Sequence, residues 1–207
     1  MLSTETLVLR LTSRVHRRLR SDRSEMAAKI MRPSPSMSLL DVGGYPALGG
    51  EFDSLRVLFG RVVVVNIDAK CKMGDVAPNM TAAIADGCAL PYPHRSFDWV
   101  FSNAVLEHVG GRTKQEQFSR EVQRVARIGY FLSTPNRHFW LDPHTYLPFY
   151  HLLPERLQHI VVHLSIGHMR SWEPLRMLSA RELGEMFPAA NIVPVGPFGL
   201  NLVAYGH

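Results

Sequence analysis

The sequence predicts an α/β domain over residues 37–207, with a mostly parallel, doubly wound, seven-stranded sheet that ends in an antiparallel hairpin. Three observations carry this expectation. Arg61 to Asp68 holds Val62, Val63, Val64, Val65 and Ile67 in a nearly continuous apolar run, which suits a parallel strand covered on both faces. Short apolar runs alternate with stretches of helical spacing, as a parallel sheet with crossover helices requires. The last two runs, Asn191 to Val195 and Asn201 to Tyr205, are joined only by Gly196-Pro197-Phe198-Gly199 and a residue beyond. That link is too short for a crossover, so the two runs pair antiparallel.

The elements follow in order. Residues 1–36 form a basic segment, with helical spacing from Leu7 to Met31 and a stop at Pro33 and Pro35, which lack an N–H and restrict the residue before them. Met37 to Val42 reads as the first strand, running into Gly43-Gly44. Pro46 to Phe59 reads as a helix weakened by Gly49-Gly50. Arg61 to Asp68, Thr81 to Ala85, Phe97 to Ser102 and Ile128 to Ser133 are the next strands. Thr113-Lys114-Gln115-Glu116 has the form of a capping box, ahead of a helix that puts Phe118, Val122 and Val125 on one face. Pro135 to Tyr150 is rich in His, Pro and aromatics without a period and reads as a long functional loop. Pro154 to Leu164 is helical, and Ser179-Ala180-Arg181-Glu182 is a second capping box before a short helix.

Composition narrows the class. The chain has 207 residues, 46% hydrophobic and 20% charged, which suits one soluble globular domain. It has no apolar run of membrane-spanning length and no secretory signal pattern. Cys71 and Cys88 make no CxxC or zinc-type spacing, which fits a reducing cytoplasm. The net charge of +5 is local. Eight Lys or Arg lie between Arg10 and Arg32 against Asp22 and Glu25, while the remaining 15 basic and 16 acidic residues nearly cancel. Leu7, Leu11, Val15 and Leu19 make an apolar stripe beside these arginines. Packing of that stripe on the domain is the favoured reading, with weak contact to an anionic inner-membrane surface compatible with it.

Two sites point to a nucleoside-containing cofactor. Asp41-Val42-Gly43-Gly44-Tyr45 follows the first strand, where glycine lets the backbone turn and approach a ligand. Asp68 ends the second strand, 25 residues beyond Gly43, where an acidic side chain can accept from a ribose diol. These two features leave the cofactor open between classes.

Ala85-Asp86-Gly87-Cys88-Ala89-Leu90-Pro91-Tyr92-Pro93, then Ser96-Phe97-Asp98-Trp99-Val100-Phe101-Ser102-Asn103-Ala104-Val105-Leu106-Glu107-His108-Val109, resembles the type 11 group of class I S-adenosylmethionine-dependent methyltransferases. Thr134-Pro135-Asn136-Arg137, followed by Asp142-Pro143-His144, is similar to a subgroup with Thr-Pro-Asn-Arg and Pro-His after the fifth strand. The resemblance runs from about Leu39 to Tyr205 and implies a Rossmann-like fold. It further implies that Asp41, Gly43 and Gly44 line the methionine part of the cofactor and that Asp68 binds the ribose. By the same resemblance Asp86 accepts from the adenine amino group, Gly87 and Cys88 lie beside the ring, and Asn103 lies near the sulfonium. One position departs from the pattern: Tyr45 stands where the group usually has a further glycine.

A sulfonium methyl is already activated by its charge, so the chemistry requires no metal and no covalent nucleophile, only alignment and exclusion of water. A general base is optional, and the candidates are His108, His138 and His144. Packing beneath the cofactor turn is the favoured role for His108; His138 and His144 stand on the loop near the strand ends. The expected acceptor is a small molecule or a glycan or lipid on a carrier, with no specific nucleic acid involved. Two rivals remain at this point. A nicotinamide-dependent oxidoreductase shares the glycine turn and strand-end acid, but gives Asp86 and Asn103 no role. A binding-only relative without catalysis draws support from Tyr45 alone.

Overall fold

The computed structural model describes residues 22–45, 52–69, 77–165, 167, 169 and 171–207. Residues 7–21 of the helix expected over Leu7 to Met31, most of the helix expected from Pro46, and Cys71 lie outside them. Seven strands form one sheet: β1 (Ser38–Val42), β2 (Arg61–Asn66), β3 (Met80–Ile84), β4 (Phe97–Asn103), β5 (Ala126–Pro135), β6 (Asn191–Val195) and β7 (Asn201–Gly206). Their order is β3-β2-β1-β4-β5-β7-β6. Strands β1 to β5 pair in parallel, and β7 inserts antiparallel between β5 and β6. The expected α/β sheet and C-terminal hairpin are therefore both present, and the strand order reverses between β1 and β4, where an open parallel sheet forms its binding crevice.

Period-two alternation explains how one apolar run serves two layers. Val63 and Val65 join Leu40, Val42 and Val100 in a core with Phe118, Val122 and Val125 of helix α3 (Arg112–Val125) and Leu183 and Met186 of helix α5 (Ala180–Met186). Val62 and Val64 face the other way, joining Leu39, Trp99 and Phe131 in a core with Ala27 and Met31 of helix α1 (22–31) and Leu55 of the helical turn α2 (Asp53–Arg56). Helix α1 ends at Met31, ahead of Pro33. Its Arg23 is only 9% exposed, so one of the eight clustered basic residues belongs to the interior and not to a solvated face.

Two capping boxes were expected, and one exists. Ser179 and Glu182 cap α5 reciprocally. Helix α3 instead begins at Arg112 after Gly111 and has no side-chain cap, so Thr113 lies inside it. Glu116 is taken by Arg112 one turn away, at 2.7 Å, an i,i+4 ion pair that replaces the box. The segment between β5 and α5 holds helix α4 (Glu155–Val161) and a small core of its own, centred on Tyr150, Val162 and Met169. Among the described residues no helix is long and apolar enough to cross a membrane.

Candidate functional site

The carboxyl ends of the parallel strands converge through close backbone approaches. Gly43 has φ +85°, and a Cβ built there would lie 2.2 Å from Val105 in the turn after β4. A Cβ on Gly87 would lie 2.6 Å from Phe118 and 3.0 Å from Val42. Glycine at both positions thus brings the turns after β1, β3 and β4 together. Sequence reasoning missed Asn66, which fastens this arrangement. Its Nδ2 donates to the carbonyls of Gly43 and Gly44 at 3.0 and 3.1 Å, and its Oδ1 accepts from Asp68 N at 3.0 Å. An Asn two residues before the strand-end acid was the available signal.

The four acidic and amide candidates sit in different surroundings. Asp41 shares the face of Leu39 and so meets α2. It is 2% exposed and accepts from Arg56 Nε at 2.8 Å, with Arg56 Nη2 closer still. Asp68, partly exposed, accepts from the Tyr45 hydroxyl at 3.1 Å. The residue in the usual glycine position therefore touches the acid expected at the ribose. Asp86 Oδ1 accepts from Cys88 N at 2.8 Å. Burial, and then the Asp86 charge, push the Cys88 thiol up to about 11, so it is neutral at ordinary pH and no nucleophile. Asn103 ends β4 with its Oδ1 buried and accepting no hydrogen bond among the described residues.

Of the three histidines, two come together. Glu107 is fully buried beyond β4 and accepts from the Thr134 hydroxyl at 2.9 Å. His144 Nε2 lies 3.9 Å and His108 Nε2 4.0 Å from its Oε1. Burial raises the Glu107 carboxyl to about 7, although its own backbone N–H, the Thr134 hydroxyl and Arg23 all favour the ionised form. The sequence reading did not single out Glu107, because a Leu-Glu-His turn does not reveal that Thr134 and His144 close over it.

His138 takes another position. It is exposed and lines a cavity of about 360 Å³ with Arg137, Phe139, Trp140, Phe149, Leu152, Ser179 and Glu182. The loop after β5 forms most of this wall and the start of α5 the remainder. Trp140 and Phe149 are half exposed at its rim, whereas Tyr150 is buried. At the α5 side, burial raises the Glu182 carboxyl, but the Ser179 N–H and hydroxyl and the Arg176 guanidinium outweigh it and hold the group at about 2.

Residues 40–133 match a family model of the type 11 methyltransferase domain. The protein is an S-adenosylmethionine-dependent methyltransferase. Its cofactor is S-adenosylmethionine, which resolves the choice against a nicotinamide. Solved structures agree in fold. A SAM-dependent methyltransferase from Aquifex aeolicus is 15% identical, with TM-score 0.57, over 88% of this chain and 87% of that one. A protein from Pyrococcus horikoshii is 14% identical, with TM-score 0.63, over 91% and 89%. A SAM-dependent methyltransferase from Methanosarcina mazei is 13% identical, with TM-score 0.55, over 83% and 92%. No curated protein matches in sequence. The match spans the methyltransferase's first five strands up to Ser133 and stops where the cavity-lining loop begins.

Proposed function

We propose that this methyltransferase acts on a glycan or lipid-linked acceptor, or a small molecule of similar shape, seated under the loop of residues 134–151. The cavity beneath Trp140 and Phe149 carries this reading. It lies beyond β5, on the carboxyl side where open α/β sheets take their ligands. It is walled by rings and one guanidinium, and it opens through a partly apolar rim. Aromatic faces suit a sugar ring or an apolar tail, and the open rim suits an acceptor whose carrier remains outside.

In this reading the turn of Gly43 and Gly44, with Asp41 behind it, receives the methionine part of the cofactor. Asp68 accepts from the ribose hydroxyls, Asp86 accepts from the adenine amino group between Gly87 and Cys88, and Asn103 lies near the sulfonium. When bound, S-adenosylmethionine would supply an activated methyl to a lone pair of the acceptor and would leave as S-adenosylhomocysteine, with His138 or water taking the acceptor's proton. The protein supplies alignment and water exclusion. Arg20 and its basic neighbours in the segment 1–36 would give reversible attraction to anionic surfaces, suited to an acceptor at the cytoplasmic membrane face.

Labelled S-adenosylmethionine incubated with the pure protein and with lipid, glycan and small-molecule extracts tests the acceptor class. Label should enter the glycan or lipid fraction, and Trp140→Ala should lower that incorporation. Incorporation confined to protein or nucleic acid removes the reading.

A further inference from the structure

The cluster around Glu107 joins a half-satisfied buried carboxylate to two imidazoles. Its Oε2 is held by the Thr134 hydroxyl at 2.9 Å, whereas its Oε1 is buried and accepts no hydrogen bond among the described residues. Leaving a buried carboxylate oxygen without a partner is costly. That oxygen faces two imidazole nitrogens, 3.9 and 4.0 Å away. These separations are too long for direct hydrogen bonds, which close at roughly 2.7–3.2 Å. They approach the roughly 3.3–3.5 Å between two ligands of one tetrahedral ion, given metal–ligand distances of about 2.0–2.2 Å. One ligand atom from each of Glu107, His108 and His144 lies within 4.8 Å of the other two.

The surroundings orient the ligands. Asp142 Oδ1 accepts from the backbone N–H of His144 at 3.0 Å and from the N–H and hydroxyl of Thr145 at 2.8 and 3.0 Å. The same oxygen lies 3.9 Å from His144 Nδ1, on the far side of the ring from Glu107. At 3.9 Å the two atoms are not hydrogen-bonded, but a carboxylate lies behind the imidazole, where a closer approach on metal binding would set the ring's tautomer and direction. The rings of His108 and His144 meet edge to face, with centroids 5.2 Å apart. Thr134 likewise fixes Glu107 by the oxygen that does not face the histidines.

We propose that Glu107, His108 and His144 bind one divalent transition-metal ion, with Asp142 and Thr134 orienting the ligands. Two imidazoles and one carboxylate suit zinc, iron(II), manganese or cobalt, and not calcium or magnesium, which take oxygen donors. His108 is the partly exposed member, with 38% of its side chain open, so the ion enters and exchanges on its side. Small rotations of that ring close the set around the ion. Three protein ligands leave one coordination position for water or for an acceptor oxygen. An oxygen bound there would lose its proton more readily. That consequence rests on the methyl-transfer reading, while the ion site itself does not.

The test uses the full chain after treatment with a chelator and dialysis. Cobalt(II) is titrated by visible absorption and zinc by calorimetry, with S-adenosylhomocysteine binding measured in parallel. One cobalt per chain is expected, displaced by zinc, with a rise in melting temperature. Glu107→Gln and His108→Ala should each weaken binding at least about tenfold, on the scale seen for altered metal shells. His108 is partly exposed, so His108→Ala keeps the metal-free melting temperature and separates ligand loss from unfolding. No saturable binding of either ion to the wild type, or equal binding in both variants, overturns the proposal. S-adenosylhomocysteine binding without metal binding removes the ion site alone; the converse removes the cofactor assignment alone.

Discussion

The turn after β1 and the turn after β4 lie side by side, Gly43 against Val105, yet they treat their polar atoms in opposite ways. Beyond β1, Gly43 N donates to Val65 O at 2.7 Å, Asn66 takes the carbonyls of Gly43 and Gly44, and Arg56 takes Asp41. Beyond β4, Asn103 Oδ1 and Glu107 Oε1 are buried and accept no hydrogen bond among the described residues. Native interiors satisfy nearly all such atoms. The first turn is satisfied from within the chain, whereas the second leaves two buried acceptors open among the described residues. Perturbed ionisation at Glu107 marks the same side.

The comparison breaks most visibly at Arg56. Arg56→Met removes the partner of a carboxylate that is 2% exposed, and stranding a buried charge costs about 3–5 kcal/mol. Urea unfolding should show a loss of that size. A loss under about 1 kcal/mol would mean that the turn after β1 does not depend on the Asp41–Arg56 pair. Gly43→Ala is the next test. It combines a left-handed φ with a Cβ 2.2 Å from Val105, and strain plus overpacking costs roughly 2–3 kcal/mol. Wild-type stability in that variant would deny the close approach of the two turns.

Asp68 separates the two strand-end acids. Asp41 is spent on Arg56, while Asp68 is partly exposed and bonded to Tyr45. Asp68→Ala should therefore leave the melting temperature nearly unchanged and weaken cofactor binding by about 1.5–3 kcal/mol, the worth of hydrogen bonds to a charged group. Unchanged calorimetric affinity would remove Asp68 from the ribose.

This contrast also explains what the sequence disclosed. The glycine turn, the valine strand and the hairpin were legible because each is a local pattern of backbone geometry or period. The position of β7 between β5 and β6 was not, since pairing order depends on the whole sheet. The α3 capping box was misread because Arg112, just before Thr113, competes for Glu116. Glu107 escaped notice because its environment is assembled from Arg23, Thr134 and His144, far apart in the chain. His138 and His144 were grouped by their place on the loop after β5, and the structure separates them: His138 lines the cavity, whereas His144 packs at Glu107.

The smallest expected effect concerns the other wall of that cavity. Ser179 and Glu182 start α5 and also line the cavity. Ser179→Ala removes one half of the box and should cost about 1 kcal/mol. Glu182 adds a pH signature. Its folded pKa of about 2 is below the ordinary 4.5, so the folded state binds its proton less readily than the unfolded state does. Its contribution is fully present above about pH 4.5 and is lost as pH falls toward 2. Glu182→Gln lacks the charge at every pH. The stability gap between wild type and that variant should thus be widest near neutrality and close across this acid window. A gap that stays constant from pH 7 to 2 would mean that the carboxylate's charge is not what fastens α5. The capping geometry alone would then hold this side of the cavity, and the contrast with the ionisable cluster beyond β4 would sharpen.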